Sequence, residues 1–199
     1  MIGAVVQNVV GGFLRPRASV RRIIDGGHGF DVALLMVLLA YLVREIFVLV
    51  IPGARPDASG LLLALHLQAL TERLISFLVL SAVVYGAGRV FGGSGSWRET
   101  NLAMAWYLLV TSVVVPLALP AIIHLAAAVD AAGNGPVAPV EIPARPLAMF
   151  MVASGVMLWL FACYVAELHR FTRTWNVLAV ILGLSAAFSF VVMALVQVP

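Results

Sequence analysis

The sequence predicts an all-α integral membrane protein: a five-span transmembrane helical bundle with a short amino-terminal amphipathic interfacial helix. Two observations support this prediction. Of the 199 residues, 63% are hydrophobic and 11% are charged, and the mean hydropathy is +1.08, whereas soluble domains are roughly half apolar. A chain of this length has too little polar surface to cover such a core in water, so its solvent is a lipid bilayer.

Five apolar runs are long enough to cross the hydrocarbon core, which takes about twenty helical residues. They lie near 32–51, 74–90, 102–125, 147–166 and 177–198. Backbone groups in hydrocarbon must be paired within their own segment, so each run is predicted to be a helix. Residues 61–70 either lie along the membrane interface or extend the second helix. We therefore expect an amino-terminal amphipathic and basic segment, 1–28, and a membrane domain, 29–199.

The distribution of arginines predicts the orientation of the bundle, because cytoplasmic loops carry an excess of basic residues. Eight arginines lie on one side of the predicted membrane: Arg15, Arg17, Arg21, Arg22, Arg89, Arg98, Arg170 and Arg173. The opposite connections hold Arg55, Arg73 and Arg145. The amino terminus is therefore predicted in the cytoplasm, and five spans would place Pro199 in the periplasm.

The amino-terminal residues predict a helix that anchors the chain to the membrane surface. Apolar residues recur at spacings of three and four, which places them on one helical face: Ile2, Val5, Val6, Val9, Val10, Phe13 and Leu14. Four arginines follow, and a basic residue near anionic headgroups contributes roughly 1 kcal/mol. The predicted lipid-surface anchor comprises Phe13, Arg15, Arg17, Arg21 and Arg22. The alternative is a topology signal plus a packed first helix.

Two charged residues, Arg44 and Glu45, lie inside the first predicted span, where an unpaired ionised side chain costs at least about 2.5 kcal/mol. Glu72 and Arg73 precede the antiparallel second span. We therefore expect Arg44 to pair with Glu72 and Glu45 to pair with Arg73, in an intramembrane charge clasp that fixes helix register. The alternatives are a proton or ion path and a contact to another subunit.

Glycines and prolines predict one turn and one bend. Gly92, Gly93 and Gly95 follow the second span, and glycine readily adopts the left-handed backbone angles of a tight turn. This glycine turn lacks the Lys and the strand context of a phosphate-binding loop. Pro116 and Pro120 lie one helical turn apart in the third span, and each removes an internal hydrogen bond, so they predict a helix kink.

No arrangement typical of an active site or a metal site occurs in the sequence. The histidines, His28, His66, His124 and His169, stand apart from one another and from Cys163. Neither a nucleophile elbow nor a pair of catalytic carboxylates is recognisable. The net charge of +3 is too small and dispersed to indicate nucleic-acid binding. We therefore predict no enzyme activity, no cofactor, no metal and no nucleic-acid partner.

Several of these features together resemble the Yip (Ypt-interacting protein) family. The residues that carry the resemblance are Phe91, Gly92, Gly93, Ser96, Trp97, the stretch 101–107 and Pro116, with Arg170, Arg173 and Trp175 in the last turn. The resemblance implies a cytosolic amino terminus, five spans, a glycine-pair turn and a proline in the third span. The compact plan looks like a bacterial inner-membrane member. Eukaryotic members are associated with Rab-type GTPases, but this chain lacks their long cytosolic domain, so GTPase binding is not expected.

Together these observations predict a non-catalytic bacterial inner-membrane protein that acts through lateral contacts. Its expected partners are the lipid bilayer and other membrane proteins or a second copy of itself. It would serve as a scaffold, an accessory subunit of a membrane complex, or an organiser of membranes in a trafficking-like role. The alternative function is a small transporter or channel component in which Arg44, Glu45 and Glu72 line a polar passage.

Overall fold

The computed structural model describes residues 2–50, 62–132 and 143–196, and within these ranges the chain is helical with no strand. The helices follow one another in this order: α1 (Ile2–Leu14), α2 (Pro16–Asp25), α3 (Phe30–Val50), α4 (Leu62–Val90), α5 (Trp97–Thr111), α6 (Val115–Ala132), α7 (Ala144–Leu168) and α8 (Thr174–Val196). This result confirms the predicted all-α class. Residues 62–70 belong to α4, so this part of the 61–70 stretch extends the second helix.

Length and apolar composition alone support fewer spans than the five expected. His66–Val90 of α4 and all of α7 are each 25 residues long and apolar enough to cross a membrane. Trp97–Thr111 and Val115–Leu125 meet this test only as a pair, with a 72° bend between them. The described residues therefore contain two such spans, or three if the bent pair crosses as one.

The remaining two predicted spans correspond to α3 and α8. α3 has 21 residues, but Asp31, Arg44 and Glu45 are among them. Charge therefore separates α3 from the helices that pass. Thr174–Ala187 of α8 is apolar, and the helix continues to Val196.

The third predicted span is broken into two helices. α5 ends at Thr111 and α6 begins at Val115, and the Val114 N–H donates to the Thr111 carbonyl at 2.9 Å across the turn between them. Pro116 lies in the first turn of α6, where its missing N–H costs little, and it has no donor for the carbonyl four residues earlier. Pro120 lies inside α6, and the helix continues through it. The bend therefore precedes Pro116.

α5 is the central helix of the bundle. Residues 100–106 are all buried, although they include the polar Thr100 and Asn101. α2, α3, α4 and α7 pack around it. A helix that is covered on every side has no polar face, which explains why the apolar residues of α5 show little helical periodicity.

α2 packs on this core through one face. Val20 and Ile24 are buried, and the Ser19 hydroxyl accepts a hydrogen bond from the indole N–H of Trp106 at 2.9 Å. Val20 and Ile24 are four positions apart, so they lie on the same side of the helix, and Ser19 is the residue next to Val20. α2 is therefore part of the bundle and contributes to its core.

α1 reaches the same core at its carboxyl-terminal end. A Cβ atom at Gly12 would lie 2.8 Å from Val110 of α5, so only glycine permits this approach without displacing that side chain. The Tyr164 hydroxyl donates to the Gly12 carbonyl at 3.4 Å, and Phe13 packs against the core. The carboxyl-terminal end of α1 therefore packs on the bundle, and anchoring of α1 to a membrane surface stays a prediction.

Candidate functional site at the polar end of the bundle

Three turns meet at one end of the bundle, which we call the polar end: the turns after α2 (26–29), after α4 (91–96) and after α7 (169–173). Arg98, in the first turn of α5, connects the first of these turns to the bundle. Its Nε donates to the His28 carbonyl at 2.9 Å, and its Nη2 donates to the Gly27 carbonyl. The polar end therefore brings together segments that are far apart in the sequence.

Glu167, in the last turn of α7, holds α2 at the polar end. Its Oε2 accepts from Arg17 Nε at 2.8 Å, and its Oε1 accepts from Arg21 Nε at 2.7 Å. The two arginines are four residues apart and therefore share one face of α2. The Glu167 side chain is only 15% exposed, so these charge-assisted bonds are partly shielded from water. Arg17 also donates to the Phe171 carbonyl at 2.9 Å.

His169 lies directly after α7 and is clamped between two glycines. Its side chain is buried, and an added Cβ at Gly88 would overlap its ring. A Cβ at Gly93 would lie 2.5 Å from its Nδ1. Nε2 lies 3.2 Å from the Val84 carbonyl, and because a carbonyl can only accept, Nε2 carries the proton.

The charge state of His169 follows from this setting. Burial lowers the pKa of the imidazole, with only partial opposition from the hydrogen bond to Val84. The ring is therefore neutral at pH 7. Its Nδ1 is buried and has no hydrogen-bond partner within the described part of the chain. A neutral ring is suited to packing between helices, where a charged one would be costly.

The glycine turn after α4 ends that helix with a Schellman motif. Gly92 has φ +78°, and the Gly93 N–H donates to the Gly88 carbonyl at 2.7 Å. Gly95 lies against the end of α7, because an added Cβ would come within 3.0 Å of Leu168. The three predicted turn glycines thus differ in their roles. Gly92 adopts a left-handed backbone, whereas Gly93 and Gly95 lack a side chain where the turn lies against the end of α7.

α7 ends with the same motif, but without glycine. Arg170 has φ +57°, and the Phe171 N–H donates to the Ala166 carbonyl at 2.8 Å. A non-glycine residue in this conformation costs about 1 kcal/mol or more. The surrounding contacts of Glu167 and His169 hold the turn in place.

The arginines of the predicted lipid-surface anchor differ in their contacts. Arg17 and Arg21 face Glu167, whereas Arg15 and Arg22 are exposed. Lipid contact by Phe13 is restricted, because its side chain packs against the core. Anchoring through Arg15 and Arg22 stays a prediction.

The predicted charge clasp comprises Arg44, Glu45, Glu72 and Arg73. Neither of its expected pairs comes within 4 Å in the described ranges. Glu45 instead lies 3.7 Å from Nδ1 of His66, and Glu72 accepts from Gln68 at 2.8 Å along the exposed face of α4. Gln68 and Glu72 are neighbours on one helix, and that local contact competes with pairing across helices. Energetic coupling among the four charged residues stays a prediction.

Comparison with protein families is consistent with this architecture. A family model described as Yip1 domain matches residues 11–195. The chain belongs to the Yip1 domain family. No curated protein and no solved structure gives a significant match. Family membership confirms the resemblance read from the sequence and, with the apolar helices, identifies a multi-pass membrane protein.

Two residues of this Yip1-family protein, Glu167 and His169, were missed by the sequence analysis. A signal for Glu167 existed, because Arg17 and Arg21 share one face of an amphipathic helix and require a partner. No pattern near His169 in the sequence indicates its burial, because the residues that surround it, Gly88 and Gly93, belong to α4 and to the turn after it. Among the described residues, no group of three or more potential metal ligands comes together.

Replacing Glu167 by Gln is expected to destabilise the protein by about 1–2 kcal/mol, because two arginines lose a charged acceptor in a partly buried site. Thermal unfolding of the purified protein in mild detergent measures the effect. Glu72→Gln is the matched control, because Glu72 is exposed and, in the described part of the chain, its hydrogen bond is to Gln68 on its own helix; it should change stability by less than about 0.5 kcal/mol. Equal losses in both variants would contradict the role of Glu167.

Replacing Gly88 by Ala is expected to cost roughly 1–3 kcal/mol, because the new methyl group displaces the buried His169 ring. Gly86→Ala is the control on the same helix: an added Cβ there meets no atom within 4 Å, so stability should be unchanged or slightly raised. Unfolding in detergent provides both values. Adding His169→Ala to Gly88→Ala should recover part of the loss, and strict additivity of the two substitutions would refute the clamp.

Proposed function

We propose that this Yip1-family protein is a non-catalytic, five-span protein of the bacterial inner membrane that works through lateral contacts. It serves as a scaffold, an accessory subunit of a larger membrane complex, or an organiser of the bilayer. One observation carries the proposal: Glu167, Arg98 and Glu99 at the polar end are bonded within the fold, to another helix, to a turn and to a helix amino terminus, so these groups serve structure.

Three such connections illustrate the point. Glu167 bonds two arginines of α2, and Arg98 bonds the turn after α2. Glu99 forms a capping box with Ser96: the Ser96 N–H donates to the Glu99 carboxylate at 2.7 Å, and the Ser96 hydroxyl accepts from the Glu99 N–H at 3.3 Å. A carboxylate that is held this way caps a helix and is not free to exchange protons with a substrate.

The apolar surface on the sides of the bundle supports a function that depends on contacts within the membrane. Large apolar side chains are well exposed on α4, at Val79 and Val83, and on α7, at Met151 and Val152, each more than half exposed. In water such a surface would cause association. In a bilayer it contacts lipid tails or the helices of other membrane proteins.

Helix lengths support the count of five spans. α3 and α8 have 21 and 23 residues, and at 1.5 Å per residue they extend roughly 31 and 34 Å. These lengths match the roughly 30 Å hydrocarbon core. The five proposed spans are therefore α3, α4, the bent pair α5–α6, α7 and α8.

The arginine content of the polar end supports a cytoplasmic location for it, and single-cysteine labelling tests the orientation. In a Cys163→Ala background, Thr172→Cys and Ala144→Cys place one thiol near each end of α7. We expect a membrane-impermeant maleimide to label Ala144→Cys in intact bacteria and Thr172→Cys only after permeabilisation. The reverse pattern would overturn the proposed orientation, and equal labelling from outside would show that α7 does not cross the membrane.

Reconstitution and cross-linking test the proposed function itself. We expect chemical cross-linking in native membranes, followed by mass spectrometry, to recover a specific membrane-protein partner or a second copy of the chain. Liposomes containing the purified protein should pass protons and ions no faster than protein-free liposomes. Flux that depends on Arg44, measured with Arg44→Ala against Arg145→Ala as control, would overturn the proposal in favour of a transporter.

A further inference from the structure

We propose that the cavity between α4, α7 and α8 binds one acyl chain of an anionic phospholipid, with its phosphate held at the polar end by Arg173. The cavity has a volume of about 500 Å³, within the range of roughly 300–1,000 Å³ that is typical of ligand pockets. The inference goes beyond the proposed function. It requires a bilayer around the bundle, but it depends neither on a scaffold role nor on the side that the polar end faces.

The walls of the cavity are apolar and belong to three helices. Val84 of α4, Val165 of α7 and Val177 of α8 form the buried side. Val83 and Leu184 also line the cavity, but they are 61% and 59% exposed. The cavity therefore opens sideways toward the hydrocarbon, as a site that is filled from the bilayer requires.

The mouth of the cavity is polar and basic. Thr172, Arg173 and Asn176 line it at the start of α8, and all three are exposed. No carboxylate lies within 4 Å of the Arg173 guanidinium in the described ranges. A guanidinium binds a phosphate through two parallel hydrogen bonds, and the Asn176 amide and the Thr172 hydroxyl supply further donors.

The length of the cavity matches one lipid leaflet. Its lining follows α8 from Asn176 to Ser185, which corresponds to roughly 14 Å along the helix axis. Half of a hydrocarbon core of about 30 Å is about 15 Å. An acyl chain in the cavity would therefore reach the bilayer midplane while its headgroup remained at the mouth.

The basic mouth favours an anionic lipid over a helix from a partner protein. A partner helix would place its own side chains against Arg173, which offers only hydrogen-bond donors. A slender chain with an anionic head satisfies both the apolar walls and the basic mouth.

Native mass spectrometry of the full chain in mild detergent tests the proposal, with phosphatidylglycerol and phosphatidylcholine of identical acyl chains as the probes. We expect one phosphatidylglycerol to be retained per protein, and retained more strongly than phosphatidylcholine. Arg173→Gln should weaken phosphatidylglycerol binding about fivefold and remove the preference between the two lipids. Arg89→Gln is the matched control, because Arg89 is an exposed arginine at the same end that does not line the cavity.

Cavity-filling variants test the site of the acyl chain. Ala87→Phe and Val180→Phe should reduce binding of both lipids several-fold, whereas Ala82→Phe, on an exposed part of α4 outside the cavity, should not. Monodisperse elution and an unchanged helical circular dichroism spectrum identify folded variants, and either filling variant suffices.

Three outcomes would overturn the inference. One is equal lipid retention by the filling variants and Ala82→Phe. A second is the same loss in Arg173→Gln and Arg89→Gln. The third is that the filling variants leave lipid binding intact and abolish a cross-link between two copies, which would assign the cavity to a partner helix. Failure of the scaffold proposal would show separately, as Arg44-dependent flux.

Discussion

The contact of Glu167 with Arg17 and Arg21 joins the amino-terminal helices to the rest of the bundle. A mostly buried carboxylate needs hydrogen-bond donors, and α2 supplies two charged ones by presenting both arginines to the end of α7. This contact sets the rotation of α2 together with the burial of Val20 and Ile24 and the bond from Trp106 to Ser19. The position of α1, which precedes α2 by a single residue, follows from it.

The same end of α7 also contacts α4 and the turn that follows it, residues 91–96. His169 follows Glu167 by two residues, and its neutral ring occupies space that only Gly88 and Gly93 leave open. The Schellman motifs of α4 and α7 therefore end side by side. Arg170 has a left-handed backbone between two residues that are held in place: His169 by Gly88 and Gly93, and Phe171 by the bond from Arg17 to its carbonyl. Structure at the polar end thus depends on a few polar groups that contact other parts of the fold.

α8 is joined to this arrangement mainly through α7, and the cavity lies between α8 and α4. The turn of residues 169–173 is held by Arg17 and His169. Farther along α8, Val180 and Leu184 line the cavity and are exposed. In hydrocarbon such a space is naturally filled by lipid, because lipid tails solvate apolar side chains as well as another helix does.

The sequence by itself determined the all-α class, the membrane setting and the family. These properties depend on hydropathy and on local backbone preferences, which a single segment carries. Only the tertiary structure decided that Arg17 faces Glu167, 150 positions away, that His169 lies against Gly88, and that Glu45 meets His66 where the sequence predicted Arg73. Each of these contacts depends on how a helix is rotated about its axis. Packing against several neighbours sets that rotation, and no single segment encodes it.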